Sequence, residues 1–164
     1  MWHDDRVREL DATDARILRA LDDDPLATVV ALSRTLGLAR NTVQSRVRAL
    51  EDRGVLGPPS ARVRPVAIGR PVLAYVSLTI TQGDIEEITA ELARVPEILE
   101  LHATTGDADI LAKVAARDPA DLHRITRRLL TCRSVVRTST AMAVLELVPA
   151  RTAPLLDDLA AGQS

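Results

Sequence analysis

Residues 29–54 read VVALSRTLGLARNTVQSRVRALEDRG, and this stretch decides the fold of the N-terminal part of the chain. Apolar residues recur there at helical spacing in two short runs: Val29, Leu32 and Leu36, then Val43, Val47 and Leu50. Gly37 lies between the runs and can take the left-handed conformation that commonly ends a helix. Two short amphipathic helices joined by such a turn predict a helix-turn-helix.

The polar face of the second helix indicates what this motif contacts. At about 100° per residue, the side chains that project opposite the apolar seam are Asn41, Gln44, Ser45 and Arg48. Asn, Gln and Arg can bond base edges in bidentate fashion, and Ser can reach a base or a phosphate. We therefore expect this face to read bases in the major groove, with Thr42 among the contacts and with mainly phosphate contacts from Arg40, Arg46 and Arg53. The alternative is a structural bundle whose polar face is only solvated.

The amino-acid composition limits the number of domains, the kind of core and the class of partner that the chain can have. The 164 residues suffice for one ordinary domain or two small ones. There is no Phe, and Trp2 and Tyr75 are the only aromatic residues, so the core must be built from aliphatic side chains. The formal net charge is −2, yet residues 38–70 hold seven Arg against Glu51 and Asp52. Such a local basic excess suits a nucleic-acid partner.

Cysteine usage and hydropathy indicate the compartment. Cys132 is the single cysteine, which excludes an intrachain disulfide and favours a reducing environment. The N-terminus is charged and has no apolar core of a signal peptide, and no apolar run is long enough to span a bilayer. We therefore expect a cytoplasmic protein with no membrane partner.

The rest of the sequence predicts one earlier helix, a connector and a second domain. Asp11 and Asp14 form a carboxylate version of the capping box at the start of the first helix. Residues 57–71 are rich in Pro and Gly, which excludes a continuous helix, and short extended pieces are expected at 55–56 and 61–66. The predicted organisation is a helix-turn-helix domain at 1–56, a connector at 57–71 and a second domain at 72–164.

The second domain alternates strands with helices. Strands are expected at 73–80, 98–105, 110–115 and, as one long strand or a bent pair, 135–148. Asp84 and Asp118 are the expected N-caps of two intervening helices, and a terminal helix is expected at 154–161. The order β-α-β-β-α-β is the ferredoxin-like arrangement. The predicted fold class is α+β, with an N-terminal three-helix, winged-helix-like domain and a C-terminal ferredoxin-like domain.

Several short motifs in both halves match a known family: Leu10-Asp11 with Asp14, Ile17 and Leu18; Leu36-Gly37-Leu38; Arg46-Val47; Leu50-Glu51; Gly54-Val55-Leu56; Pro96-Glu97-Ile98; Gly106-Asp107-Ala108-Asp109; and residues 135–140, VVRTST. In order and spacing they resemble the Lrp/AsnC family of leucine-responsive and asparagine-responsive transcription regulators. Two departures concern the DNA-binding half: Ala39 stands where the family usually has a helix-capping Ser, and Gly57-Pro58-Pro59 replaces the usual aromatic residue.

The resemblance implies a regulator that binds double-stranded DNA as a homodimer or as an assembly of dimers, modulated by an amino acid or related effector between subunits. We expect no cofactor and no metal. The implied effector residues are Thr104, Thr105, Gly106, Asp107 and Asp109, with Thr138 and Thr140 nearby. Loop amides at Gly106 could bind a carboxylate, and an Asp could bind an ammonium group. The alternative here is a hairpin turn without a ligand, for which Gly-Asp sequences are also typical.

Two other functions compete with the regulator. Sirohaem decarboxylases resemble this family in architecture and use His for chemistry, but His3, His102 and His123 are not spaced as a metal-binding or catalytic pair. We therefore expect no enzyme. A protein-interaction module is the other alternative, and a steep fall of DNA affinity with salt would argue against it because counterion release marks phosphate contacts.

Overall fold

The computed structural model describes residues 9–81, 83 and 85–162. Its elements follow in this order: α1 Ala12–Asp23, α2 Val29–Leu36, α3 Arg40–Asp52, β1 Val72–Ile80, α4 Ile85–Leu92, β2 Ile98–Ala103, β3 Ile110–Ala116, α5 Pro119–Leu130, β4 Val135–Met142 and α6 Ala153–Ala160. The predicted cap Asp84 lies outside the described residues, as does His3. No described helix is both long enough and apolar enough to cross a bilayer.

The chain divides into two compact units. The helical unit comprises the residues up to Arg62 together with those from Val148 onward, and the sheet unit comprises Val63–Leu147. This division differs from the predicted boundaries in its last part, because α6 belongs to the helical unit. Leu156 packs against the core of that unit, and Arg19 of α1 pairs with Asp157 at 2.6 Å.

In the helical unit, the start of α1 and the end of α2 are as the sequence predicts. Asp11 and Asp14 form the predicted capping box of α1. Thr28 caps α2 through a hydrogen bond from the backbone N–H of Ala31, and Gly37 ends α2 with a φ of 67°. Left-handed backbone is almost free of strain only for glycine, so this residue allows the sharp turn into α3. The core is aliphatic and contains Ile17, Leu18 and Leu50.

The connector forms turns instead of the expected extended pieces. Two 3₁₀ turns occur at Pro59–Arg62 and Pro65–Ile68, held by bonds such as Ala61 N–H to Pro58 C=O and Ala67 N–H to Arg64 C=O, both 2.9 Å. Proline fixes φ near the helical value, which favours such turns at its own position. The prediction of an extended piece at 61–66 was therefore wrong. Residues 55–56 are not extended either, because the N–H groups of Val55 and Leu56 both turn back to the C=O of Leu50 in α3.

The sheet unit has the predicted ferredoxin-like topology. Its four strands are antiparallel neighbours in the order β2-β3-β1-β4. Along β1, Ala74, Val76 and Leu78 are fully buried and share one core with α4 and α5, whereas Tyr75 lies on the opposite face and is exposed. This alternation follows from the two-residue period of a strand.

Strand β4 is shorter than expected and ends at Met142. It runs antiparallel to β1, pairing Ala74 with Met142, and the last bond joins the N–H of Ala143 to the C=O of Leu73. Because β1 begins at Val72, no strand remains for the following residues to pair with. Residues 143–148 therefore leave the sheet with exposed apolar side chains, among them Val144, Leu145 and Leu147.

Candidate nucleic-acid interface and effector site

Helix α3 presents one polar face to solvent. Val43 and Leu50 are fully buried, which confirms the inward orientation of the apolar seam predicted from its spacing. The opposite face forms a shallow depression lined by Asn41, Gln44, Ser45, Arg48, Ala49 and Asp52. All four side chains predicted to read bases thus lie together on one exposed surface, which we call the α3 face.

Some polar side chains on or beside the α3 face already form hydrogen bonds within the chain, and others do not. Arg40 and Arg48 are exposed, and within the described chain neither has a hydrogen bond or ion pair. Ser45 donates its hydroxyl hydrogen to the C=O of Thr42 at 3.0 Å, which leaves its oxygen lone pairs available. Asp52 brings one carboxylate to the end of the face, where it would repel phosphate.

Arg46 is placed differently from the other predicted contacts. Its Nη1 lies 2.8 Å from Oδ1 of Asp14 and also bonds to Asp11, both at the start of α1. The pKa of Asp11 lies below its ordinary value because Arg46 donates this hydrogen bond to it. The structure therefore uses Arg46 to hold α3 against α1 and does not bring it to the α3 face.

The turn between α2 and α3 has supports that the sequence analysis missed. Arg16 donates from Nη2 to the C=O of Leu36 at 2.9 Å, and Ser33 donates from Oγ to the C=O of Leu38 at 2.7 Å. Both satisfy carbonyl groups around the end of α2, where a helix has no partners of its own. The Ser33 bond joins residues only five positions apart, so the presence of a Ser in the last turn of α2 could have predicted it. The Arg16 bond joins residues 20 positions apart, and no local sequence pattern predicts it.

The start of α3 lacks a side-chain cap. Ala39 occupies the N-cap position and makes no capping hydrogen bond, as expected from the departure noted in the sequence. Arg40 and Thr42 lie exposed in the first turn, and Arg53 is half-buried at the C-cap.

The predicted effector residues of the hairpin lie in the exposed loop between β2 and β3. Thr104 donates from Oγ1 to the C=O of Ala108 at 2.8 Å, and Asp109 accepts the N–H of Ile80 at Oδ2 at 2.9 Å. Asp109 is therefore occupied in ending β1. Asp107 and Thr105 are exposed, and Gly106 has a φ of 125°, a conformation that favours glycine.

Thr138 and Thr140 lie apart from this loop. They are on β4, opposite Leu78 and Val76 of β1, and β1 stands between β4 and the strands that carry the loop. The Oγ1 atoms of Thr140 and Thr126 are 3.5 Å apart. Within one copy of the chain, the predicted effector residues of the loop lie close to one another, but the two threonines of β4 do not lie close to them.

The groups considered for enzyme chemistry are dispersed. Nε2 of His102 lies 3.3 Å from Oε2 of Glu100 on the sheet surface, whereas His123 is exposed on α5. Burial raises the pKa of the half-buried Cys132 thiol, which lowers its nucleophilic character at neutral pH. Among the described residues, no three His, Cys, Asp or Glu side chains are grouped so that they could hold a metal ion.

Known protein families match both halves of the chain. Residues 10–56 match a model of winged helix-turn-helix DNA-binding domains, and residues 73–153 match the Lrp/AsnC ligand-binding domain. The chain is 32% identical over 146 residues to the HTH-type transcriptional regulator AldR of Mycolicibacterium smegmatis, covering 87% of this chain and 85% of the relative. It is 30% identical over 138 residues to the regulator FL11 of Pyrococcus furiosus, covering 84% and 91% respectively.

Solved structures give the same result. A transcriptional regulator from Neisseria meningitidis, solved as an L-Met complex, superposes with a TM-score of 0.75 at 26% identity and covers 88% of this chain and 96% of its own. The fold and the α3 face define a helix-turn-helix transcription regulator with a separate ligand-binding domain. The chain belongs to the Lrp/AsnC family. Its relatives are named as regulators of transcription, which supports a non-enzymatic role.

Proposed function

We propose that this DNA-binding regulator reads its site through Asn41, Gln44 and Arg48 on α3, with additional contacts from Arg40, Thr42, Ser45 and Arg53. The observation that carries the proposal is that the α3 face is exposed and that Arg40 and Arg48 have no partners within the described chain. Unengaged guanidinium groups keep their full set of donors for guanine or phosphate. Arg46 is left out of this set, because its guanidinium already serves two carboxylates.

Loss of Arg48 tests the reading face. A preferred duplex is first selected from random sequences with the wild-type chain, and Kd is then measured for Arg48→Ala at constant salt. If Arg48 forms a bidentate pair with guanine, the change costs about 1–3 kcal/mol and relaxes specificity at one position. Arg151→Ala is the matched control, since Arg151 is also exposed and has no bond within the described chain. Unchanged affinity and specificity in Arg48→Ala would contradict the assigned face.

The chain is further proposed to act as a homodimer or an assembly of dimers through its sheet unit. The face of the sheet away from the helices carries Tyr75, and the segment after β4 exposes Val144, Leu145 and Leu147. Apolar surface of this kind is stabilised when a second copy covers it. Two helix-turn-helix units in a dimer would then meet DNA about one helical turn apart, at an imperfect palindrome.

Light scattering tests the assembly. Wild-type chain is expected to have at least twice the monomer mass. Tyr75→Glu is expected to shift the equilibrium toward monomer, because a charged side chain would have to lose its hydration when a second copy covers the face. Leu26→Glu is the control, because Leu26 is an exposed apolar residue of the helical unit. A monomeric wild type at all concentrations would refute the proposal.

An amino-acid effector is proposed at the loop between β2 and β3. Asp107 is the carboxylate available for an ammonium group, since Asp109 is engaged with Ile80, and amides near Gly106 would bind the carboxylate. The regulator from Neisseria meningitidis with L-Met supports this class of ligand. Because β1 separates the loop from Thr138 and Thr140, we propose that those threonines join the site from a second copy of the chain.

Calorimetric titration with the common amino acids tests the effector. At least one amino acid is expected to release or absorb heat, and Asp107→Asn is expected to abolish that signal. Asp158→Asn removes an exposed carboxylate of the helical unit and serves as the control. No heat with any amino acid would leave the loop as the hairpin turn of the alternative interpretation.

A further inference from the structure

One carboxylate, that of Asp52, lies on the α3 face among the side chains proposed to read bases. Asp52 lines the same shallow depression as Asn41, Gln44 and Arg48, and its side chain is exposed. At about 100° per residue, Asp52 projects within roughly 20° of Asn41 and 40° of Arg48 around the helix axis. Asp52 is therefore in line with the base-reading side chains, one turn beyond Arg48.

The position of Asp52 is not explained by the structure of the helical unit itself. Within the described chain its carboxylate forms no hydrogen bond and no ion pair, although the i, i+4 spacing makes Arg48 its neighbour on the helix surface. Asp52 is also the last residue of α3, where the negative end of the helix dipole disfavours a carboxylate. Neither helix stability nor a bond within the described chain accounts for an acidic residue here.

A carboxylate that faces a duplex can bind only a small part of it. It repels phosphates, and in its ionised form it accepts hydrogen bonds and donates none. In the major groove, guanine presents two acceptors and thymine an acceptor and a methyl group, whereas cytosine presents the N4 amino donor. Adenine has an amino donor beside an acceptor, so cytosine is the base that suits a carboxylate best.

We infer that Asp52 is a specificity-determining residue that selects cytosine about two base pairs beyond the guanine read by Arg48. The four residues from Arg48 to Asp52 advance by about 6 Å along the helix axis, and successive base pairs are about 3.4 Å apart along the duplex. Asp52 discriminates by accepting a hydrogen bond from cytosine N4 and by repelling the acceptors of guanine and thymine. The inference rests on the proposed function, because it needs the α3 face in the major groove.

Selection of duplexes from random sequences tests the role of Asp52 in the full chain. Wild type is expected to enrich cytosine about two base pairs from the position that Arg48→Ala relaxes. Replacing that cytosine should raise the wild-type Kd roughly 5-fold or more, which is the usual effect of one mismatched base pair in a specific complex. Asp52→Ala should bind all four bases at this position almost equally and should keep the preference for guanine at the Arg48 position.

Two further variants make the result specific. Asp52→Asn has the same shape but adds donors, so its preference should shift from cytosine toward adenine, which Asn bonds in bidentate fashion. Asp158→Ala removes an exposed carboxylate of the helical unit outside the α3 face and should keep every wild-type preference. Urea unfolding should show Asp52→Ala to be at least as stable as wild type, because Ala is the better helix former and the lost charge lies at the unfavourable end of α3.

The results also separate this inference from the proposed function. If Arg48→Ala relaxes one position but Asp52→Ala keeps every wild-type preference, the role of Asp52 is refuted and the α3 face stands. Tighter binding of all duplexes by the same factor in Asp52→Ala would overturn it as well, since repulsion of phosphate then suffices. A preference lost at the guanine position alone would overturn it too, because Asp52 would then act through Arg48. Wild-type chain that selects no sequence would overturn both proposals.

Discussion

Replacement of Arg46 by Ala is expected to destabilise the helical unit and to affect DNA binding only through that loss. At the 2.8 Å separation from Asp14, the gross attraction is about 1.5 kcal/mol with the screening of bulk water and about 6 kcal/mol at an effective dielectric constant of 20. The side chain of Arg46 is 32% exposed and that of Asp14 is 10% exposed, so much of the attraction offsets desolvation. Hydrogen bonds to charged groups contribute about 1.5–3 kcal/mol net, and we expect a loss of about 2 kcal/mol.

Urea unfolding followed by far-UV circular dichroism measures this loss, and hydrogen exchange of the α3 amides assigns it to the helical unit. Asp14→Asn in the Arg46→Ala background should recover part of the loss, because it removes a carboxylate left without its partner, with a coupling of about 1–2 kcal/mol. Arg48→Ala is the control on the same helix and should change stability by less than about 0.5 kcal/mol. The reasoning is refuted if Arg46→Ala is as stable as wild type yet weakens DNA binding as much as Arg48→Ala does.

Two further changes follow from the same kind of argument. Ala39→Ser should stabilise the helical unit by about 1 kcal/mol in urea unfolding, because it supplies the missing cap of α3. Ala49→Ser, on the exposed surface of the last turn of that helix, should not stabilise it. Equal gains from the two substitutions would contradict the capping argument. Acid should destabilise the sheet unit, because the pKa values of Asp121 and Glu97 lie below their ordinary 3.8 and 4.5. For Asp121 the main cause is the hydrogen bonds from Arg117. For Glu97 burial is the largest single influence and raises the pKa, but the hydrogen bond from Arg124, a backbone hydrogen bond and the charges of Arg124 and Arg70 together lower it by more. The stabilisation that both carboxylates contribute is present above about pH 4.5 and is lost as pH falls below that value. Urea unfolding at several pH values should therefore show a free energy of unfolding that decreases toward acid. Glu97→Gln should reduce this pH dependence, whereas the exposed control Glu146→Gln should not.

The sequence predicted the elements whose information is local. The apolar seam of α3, the capping box of α1 and the strand β1 follow from patterns of a few residues, and the structure has all three. The grouping of Asn41, Gln44, Ser45 and Arg48 on one surface follows from the same helical period. The regular helices and strands of this fold can therefore be predicted largely from the local spacing of apolar and capping residues.

Features that depend on distant residues could not be predicted in this way. Arg46 has the residue type of a phosphate contact, and only the approach of α1 reveals its bonds to carboxylates 32 and 35 residues earlier. The end of β4 depends on where β1 begins, which no local signal in residues 143–148 records. Likewise, the engagement of Asp109 with Ile80 needed the register of the sheet.

The return of α6 to the helical unit makes the sheet unit an insertion in the chain, reached and left by separate covalent segments. A single proteolytic nick within residues 57–71 would therefore not free a complete DNA-binding fragment, since Leu156 and Asp157 would remain on the other piece. An isolated 1–56 fragment would expose the apolar surface that Leu156 covers. A deletion of residues 63–147 that joins residue 62 to residue 148 through a linker would instead retain α6, and with it the contacts of Leu156 and Asp157.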